Sequence, residues 1–75
     1  MSTEQRVKQI ISTMVGIKIE DVKLDRTPDQ LGMDSLDTIE VVMEIEDSFS
    51  IELPDKDLRE DMTVQDLINL TAATQ

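Results

Sequence analysis

The most chemically suggestive run in the chain is Leu31 to Asp37, LGMDSLD, which sets Ser35 between Asp34 and Leu36-Asp37, three residues after Gly32. A serine nucleophile needs a base and an oxyanion hole, and the chain contains no histidine. The run also lacks the second glycine of a G-x-S-x-G elbow. A calcium loop counted from Asp25 begins well with Asp25, Thr27 and Asp29. It then fails, because Gln30 takes the place of the turn glycine and Leu36 that of the bidentate acid. Paired-carboxylate catalysis needs a cleft, which a bundle this small is expected to lack. What remains is that Ser35 is acted upon. At the start of a helix its hydroxyl is exposed and the positive end of the dipole favours an attached phosphate. The group could be a phosphoryl group added by a kinase or a larger phosphate-linked group.

The elements that must hold Ser35 there follow from periodicity. Val7, Ile10, Ile11, Met14 and Val15 share one helical face. Ser2 with Gln5 forms a capping-box start and Gly16 a C-terminal cap, which predicts a helix over 3–15. The connection from Ile17 to Met33 is long, but Ile17, Ile19, Val22, Leu24 and Leu31 should fasten it to the core. Within it Thr27, Pro28 and Gln30 predict a short turn, and Gly32 frees the chain to change direction. Asp34 is the expected N-cap of a helix over 35–49. Pro54 then allows a short helix over about 55–60, and Thr63 boxed with Asp66 starts the last helix, through Leu70. No segment alternates as a strand. The expected fold is all-α: a four-helix bundle of three longer helices and one short one, with a long first loop.

Helix 35–49 carries two apolar stripes. With Leu36 at zero and about 100° per residue, Val41, Val42, Ile45 and Phe49 fall at about 140–240°, while Leu36, Ile39 and Met43 fall at about 300–360°. Asp37, Glu40, Glu44 and Asp47 lie beside the second stripe. Either both stripes are buried in a central helix, or the second is a recognition face of aliphatic anchors in an acidic rim. Methionine suits such a face because it repacks against different partners.

Composition narrows the rest. Seventy-five residues bury only roughly 60% of their unfolded surface, and without cysteine there are no disulfides and no Cys/His zinc site. Phe49 is the lone aromatic. Seventeen acids against seven bases give −10, and twelve of those acids lie between Asp29 and Asp61 against only Lys56 and Arg59. Such a field repels nucleic acid and anionic lipid, so partners should present basic surfaces. No run is long enough for a membrane span and the N-terminus lacks a signal-peptide layout, so a cytoplasmic protein is expected.

The segment DQLGMDSLDTIEVVMEIEDSF closely resembles the attachment region of bacterial acyl carrier proteins of the discrete type. RVKQII with Gly16, IELPD and TVQDLI resemble their first helix, their middle join and the start of their last helix, so the likeness spans nearly the whole chain. The resemblance implies one carrier domain over 1–75, a monomer and not an enzyme. It implies that Ser35 receives 4'-phosphopantetheine from coenzyme A through a separate Mg²⁺-dependent phosphopantetheinyl transferase, and that Asp34 caps the helix and contacts that transferase. It further implies that Leu36, Ile39 and Met43 form the partner-contact stripe and Asp37, Glu40, Glu44 and Asp47 its acidic rim. Acyl groups would then travel as thioesters to ketosynthase, ketoreductase, dehydratase, enoyl reductase and acyltransferases of fatty-acid biosynthesis, sliding between the helices in transit. Gln30 stands where many members carry an acid and Thr27 where many carry an aromatic. The alternatives are a specialised carrier of another lipid or polyketide pathway and an acidic helical interaction adaptor.

Overall fold

In the computed structural model, which describes residues 2–75, three α-helices account for the periodic segments: α1 Thr3–Val15, α2 Ser35–Phe49 and α3 Val64–Thr74. Single 3₁₀ turns occupy Ile19–Asp21, Asp29–Leu31 and Asp55–Asp57. α1 starts where the Gln5 amide donates to Ser2 Oγ (3.1 Å), one half of the expected box, and it ends at Gly16 in the left-handed region at φ 80°. The Thr27–Gln30 turn is closed in both directions, the Thr27 amide donating to Gln30 Oε1 (3.0 Å) and the Gln30 amide to Thr27 Oγ1 (3.4 Å).

The expected fourth helix over 55–60 is corrected to the single turn Asp55–Asp57. The segment contains two aspartates, poor helix formers away from a cap, and no side chain caps its start. Leu58 is its one apolar residue, so a helix there would have no face to bury. Among the described residues the bundle therefore has three helices and three turns.

The core takes residues from every part of the chain: Val7 and Ile11 of α1, Val22 and Met33 of the first connection, Val41 and Ile45 of α2, Leu53 of the second connection, and Val64 and Ile68 of α3. Each fully buried aliphatic side chain stabilises the fold by roughly 1.5–3 kcal/mol before conformational entropy is subtracted. Thr71 is also fully buried, and its hydroxyl is satisfied by donating to the Leu67 carbonyl (2.8 Å). The long first connection is tied down by its backbone. The Val64 and Gln65 amides donate to the Arg26 and Leu24 carbonyls, both at 2.9 Å. Two orphan donors of the α3 N-terminus are thereby satisfied, and the loop is pinned to the bundle.

α1 packs along both α2 and α3, whereas α2 and α3 barely meet. Arg6 holds the α1–α2 pair at one end. Its Nη2 donates to the Ser48 carbonyl (2.6 Å) and its guanidinium sits 4.0 Å above the Phe49 ring. A cation is thus fixed at the negative end of α2. The gap left between α2 and α3 is what shapes the site.

Candidate functional site

Ser35 is the first residue of α2, and the side chains around it are organised by a reciprocal cap. The Asp37 amide donates to Asp34 Oδ1 (2.8 Å) and the Asp34 amide to Asp37 Oδ2 (3.1 Å). Thr38 reinforces the turn, its amide and its hydroxyl both donating to the Asp34 carbonyl at 3.1 Å. Ser35 is exposed, and among the described residues its hydroxyl makes no hydrogen bond. The Ser35 and Leu36 amides likewise have no protein acceptor. At α3, by contrast, the corresponding Val64 and Gln65 amides are both consumed by carbonyls of the first connection. The start of α2 thus offers an unencumbered hydroxyl beside two open N–H donors and the positive end of a fifteen-residue helix.

Behind Ser35 a cleft of about 650 Å³ opens between α2 and α3, which corrects the expectation that so small a bundle lacks one. Its apolar lining includes Leu31, Met33, Val42, Met62 and Leu67, and Asp29, Glu46, Asp55 and Glu60 add charge to it. Asp34, Ser35, Arg26 and Arg59 also line it. The volume lies within the usual range of small-molecule sites, about 300–1,000 Å³. Glu46 fixes one wall. Its carboxylate accepts the Leu53 amide (2.8 Å) and so holds the second connection against α2.

The two stripes of α2 part ways. Val41 and Ile45 are buried, and Val42 and Phe49 pack against the core. Leu36, Ile39 and Met43 are 62%, 55% and 60% exposed, which no core role accounts for. Glu40, Glu44 and Asp47 are exposed alongside them, whereas Asp37 is half-buried with one carboxylate oxygen committed to the cap. Ile39 and Met43 also line the cleft, so the outer stripe and the cleft share an edge.

Glu46 was not among the residues singled out from the sequence, because nothing marks one glutamate of a crowded acidic helix as the acceptor for a loop amide seven residues on. Arg26, Met33 and Met62 were missed for a related reason. They lie in connections, and only the separation of α2 from α3 brings them to one cavity.

The arrangement fits a phosphate-linked arm: a free hydroxyl to carry it, helix-start amides to meet the phosphate, and an apolar groove leading away. Residues 5–71 match the family model described as phosphopantetheine attachment site. Domains of this family carry covalently attached 4'-phosphopantetheine, and they meet a modifying transferase and acyl-processing enzymes. With the match covering nearly its whole length, the chain belongs to the phosphopantetheine-attachment family of carrier domains, which hold acyl or peptidyl groups on that arm.

Proposed function

We propose that this chain is a discrete acyl carrier protein of fatty-acid biosynthesis, working in the cytoplasm and bearing its arm on Ser35. The observation that carries this reading is the exposed, unbonded Ser35 hydroxyl at the N-terminus of α2, opening onto an aliphatic cleft. The arm's terminal thiol supplies thioester chemistry. The chain's own residues position and protect. Asp34 and Asp37 fix the first turn so that the hydroxyl projects outward. The Ser35 and Leu36 amides favour the phosphate's charge. The apolar part of the cleft, with Leu31, Met33, Val42, Met62 and Leu67, suits a hydrocarbon cargo and shields it from water. The chain brings no base of its own, and the transferase supplies both base and metal. A carrier is accordingly a substrate of its partners rather than a catalyst.

Leu36, Ile39 and Met43, rimmed by Glu40, Glu44 and Asp47, form the surface proposed to meet the basic faces of the transferase and of ketosynthase, ketoreductase, dehydratase, enoyl reductase and acyltransferases. Apolar anchors in a charged rim suit brief, successive encounters. An interaction adaptor could use the same stripe, but it has no need of a cleft behind Ser35.

Intact-mass measurement after incubation with coenzyme A, Mg²⁺ and a phosphopantetheinyl transferase tests the reading. The expected result is addition of one arm, lost in Ser35→Ala. No gain, or a gain that persists in Ser35→Ala, refutes it. Subsequent acylation by a fatty-acid ketosynthase system, against failure with that system and success with another, decides the pathway.

A further inference from the structure

We propose that Met43 is a reversible oxidation site through which hydroperoxides switch off partner engagement, an inference that rests on the carrier reading above. The chain has no cysteine, histidine, tryptophan or tyrosine, so before the arm is attached its thioethers are the side chains most open to mild oxidants. Among the four described methionines exposure is sharply graded. Met43 is 60% exposed, Met14 38%, and Met33 and Met62 8% each. Among the described residues the most exposed methionine is therefore the one in the Leu36–Ile39–Met43 stripe. Met33 and Met62, which hold the cleft, are shielded by the fold.

The step is an oxygen transfer. A lone pair on Sδ attacks the outer oxygen of the hydroperoxide and an S–O bond forms as the O–O bond breaks. The leaving oxygen takes up the proton and departs as water or an alcohol. The thioether is oxidised by two electrons and the peroxide is reduced by two. The product is polar and chiral, and methionine sulfoxide reductases return it to the thioether. In free solution a sulfoxide at Met43 costs the fold little, because water already reaches that side chain. Pressed into a partner's apolar surface, it is a strong acceptor stripped of water. Binding should therefore fail before the fold does, and loss of stability belongs to a later phase in which Met33 and Met62 are attacked.

The test uses the chain without its arm, treated with hydrogen peroxide in graded doses, freed of peroxide, and then offered to a phosphopantetheinyl transferase at subsaturating carrier concentration. Peptide mass mapping should find the added oxygen on Met43 ahead of Met33 and Met62. At full Met43 oxidation the loading rate should fall about tenfold, the scale of burying an unpartnered polar group, with helicity and melting temperature unchanged. Reductase treatment should restore loading. The ratio of loading rates before and after peroxide should return to near one in Met43→Leu, whatever that variant's starting rate, and should still fall in Met14→Leu. Oxidation of Met33 or Met62 as fast as Met43, an unchanged loading rate on fully oxidised Met43, or an undiminished proportional loss in Met43→Leu overturns the proposal. An unoxidised chain that accepts no arm overturns the carrier reading and this inference with it. Normal loading that peroxide leaves untouched overturns the inference alone.

Discussion

Asp34 is asked to do two things, and the geometry allows them to be separated. Its carboxylate accepts the Asp37 amide at 2.8 Å, while its own amide donates to Asp37 Oδ2 at 3.1 Å. Asp34→Ala removes the first bond and leaves the second, since the backbone amide survives. Loss of one N-cap acceptor costs about 1 kcal/mol. For a domain of this size that lowers Tm by about 4–8 °C. Asp34→Asn keeps an acceptor oxygen and gives up only the charge at the positive end of α2, so its cost is about 0.3–1 kcal/mol at low salt and less when screened. Nearby Asp37 reduces it further, because one of two crowded carboxylates is neutralised. Thermal melts followed by helical circular dichroism should therefore rank wild type, Asn and Ala in that order, with Asn nearer the wild type. The transferase contact that the resemblance implies for Asp34 makes a different demand: at a temperature where all three are folded, Asn should then load the arm as poorly as Ala, because the negative charge rather than the cap is missing. If Asn melts as low as Ala, or Ala melts with the wild type, the capping argument is wrong. If Asn loads at the wild-type rate, Asp34 acts on Ser35 only by shaping the turn.

Three further perturbations probe other parts of the structure. Arg6→Met removes both the bond to the Ser48 carbonyl and the stacking on Phe49; chemical denaturation should show a loss of about 2 kcal/mol, combining a charged hydrogen bond and a cation–π contact, each weakened by partial exposure. Ser50 closes α2 at φ 55°, the one described non-glycine residue with positive φ, so Ser50→Gly should raise stability by about 1 kcal/mol in the same measurement by relieving the left-handed strain. Glu40→Lys with Glu44→Lys should weaken transferase binding and flatten its dependence on salt while circular dichroism stays unchanged, as both side chains are exposed on the outer stripe's flank.

What the sequence disclosed and what it withheld divide along a physical line. The boundaries of α1 and the starts of α2 and α3 were legible because local chemistry sets them: Ser2, Asp34 and Thr63 accept amides within three residues of themselves, and Gly16 needs only its own backbone to turn. The split between the two stripes of α2 was visible as an angle, but their fates were not. Ile39 could equally have met another helix, yet it is exposed at the edge of the cleft between α2 and α3. The short helix after Pro54 was misjudged because a proline at a permitted first position starts a helix only when later residues bury a face, and Leu58 alone cannot.

The cleft was invisible for the same reason that it matters. It is a shortage of contact between two helices, and no residue type encodes a contact that is not made. Its consequence can be stated from energetics. A gap lined by Met33, Val42, Met62 and Leu67 forfeits dispersion and burial that closer packing of α2 on α3 would recover. In a 75-residue chain with no disulfide and repelling carboxylates the margin of stability is narrow, so contacts of this kind count. A hydrocarbon chain entering the gap would restore the missing contacts and should bind the folded state alone. The cargo proposed for this carrier would therefore stabilise its fold, by more for chains that fill more of the cleft.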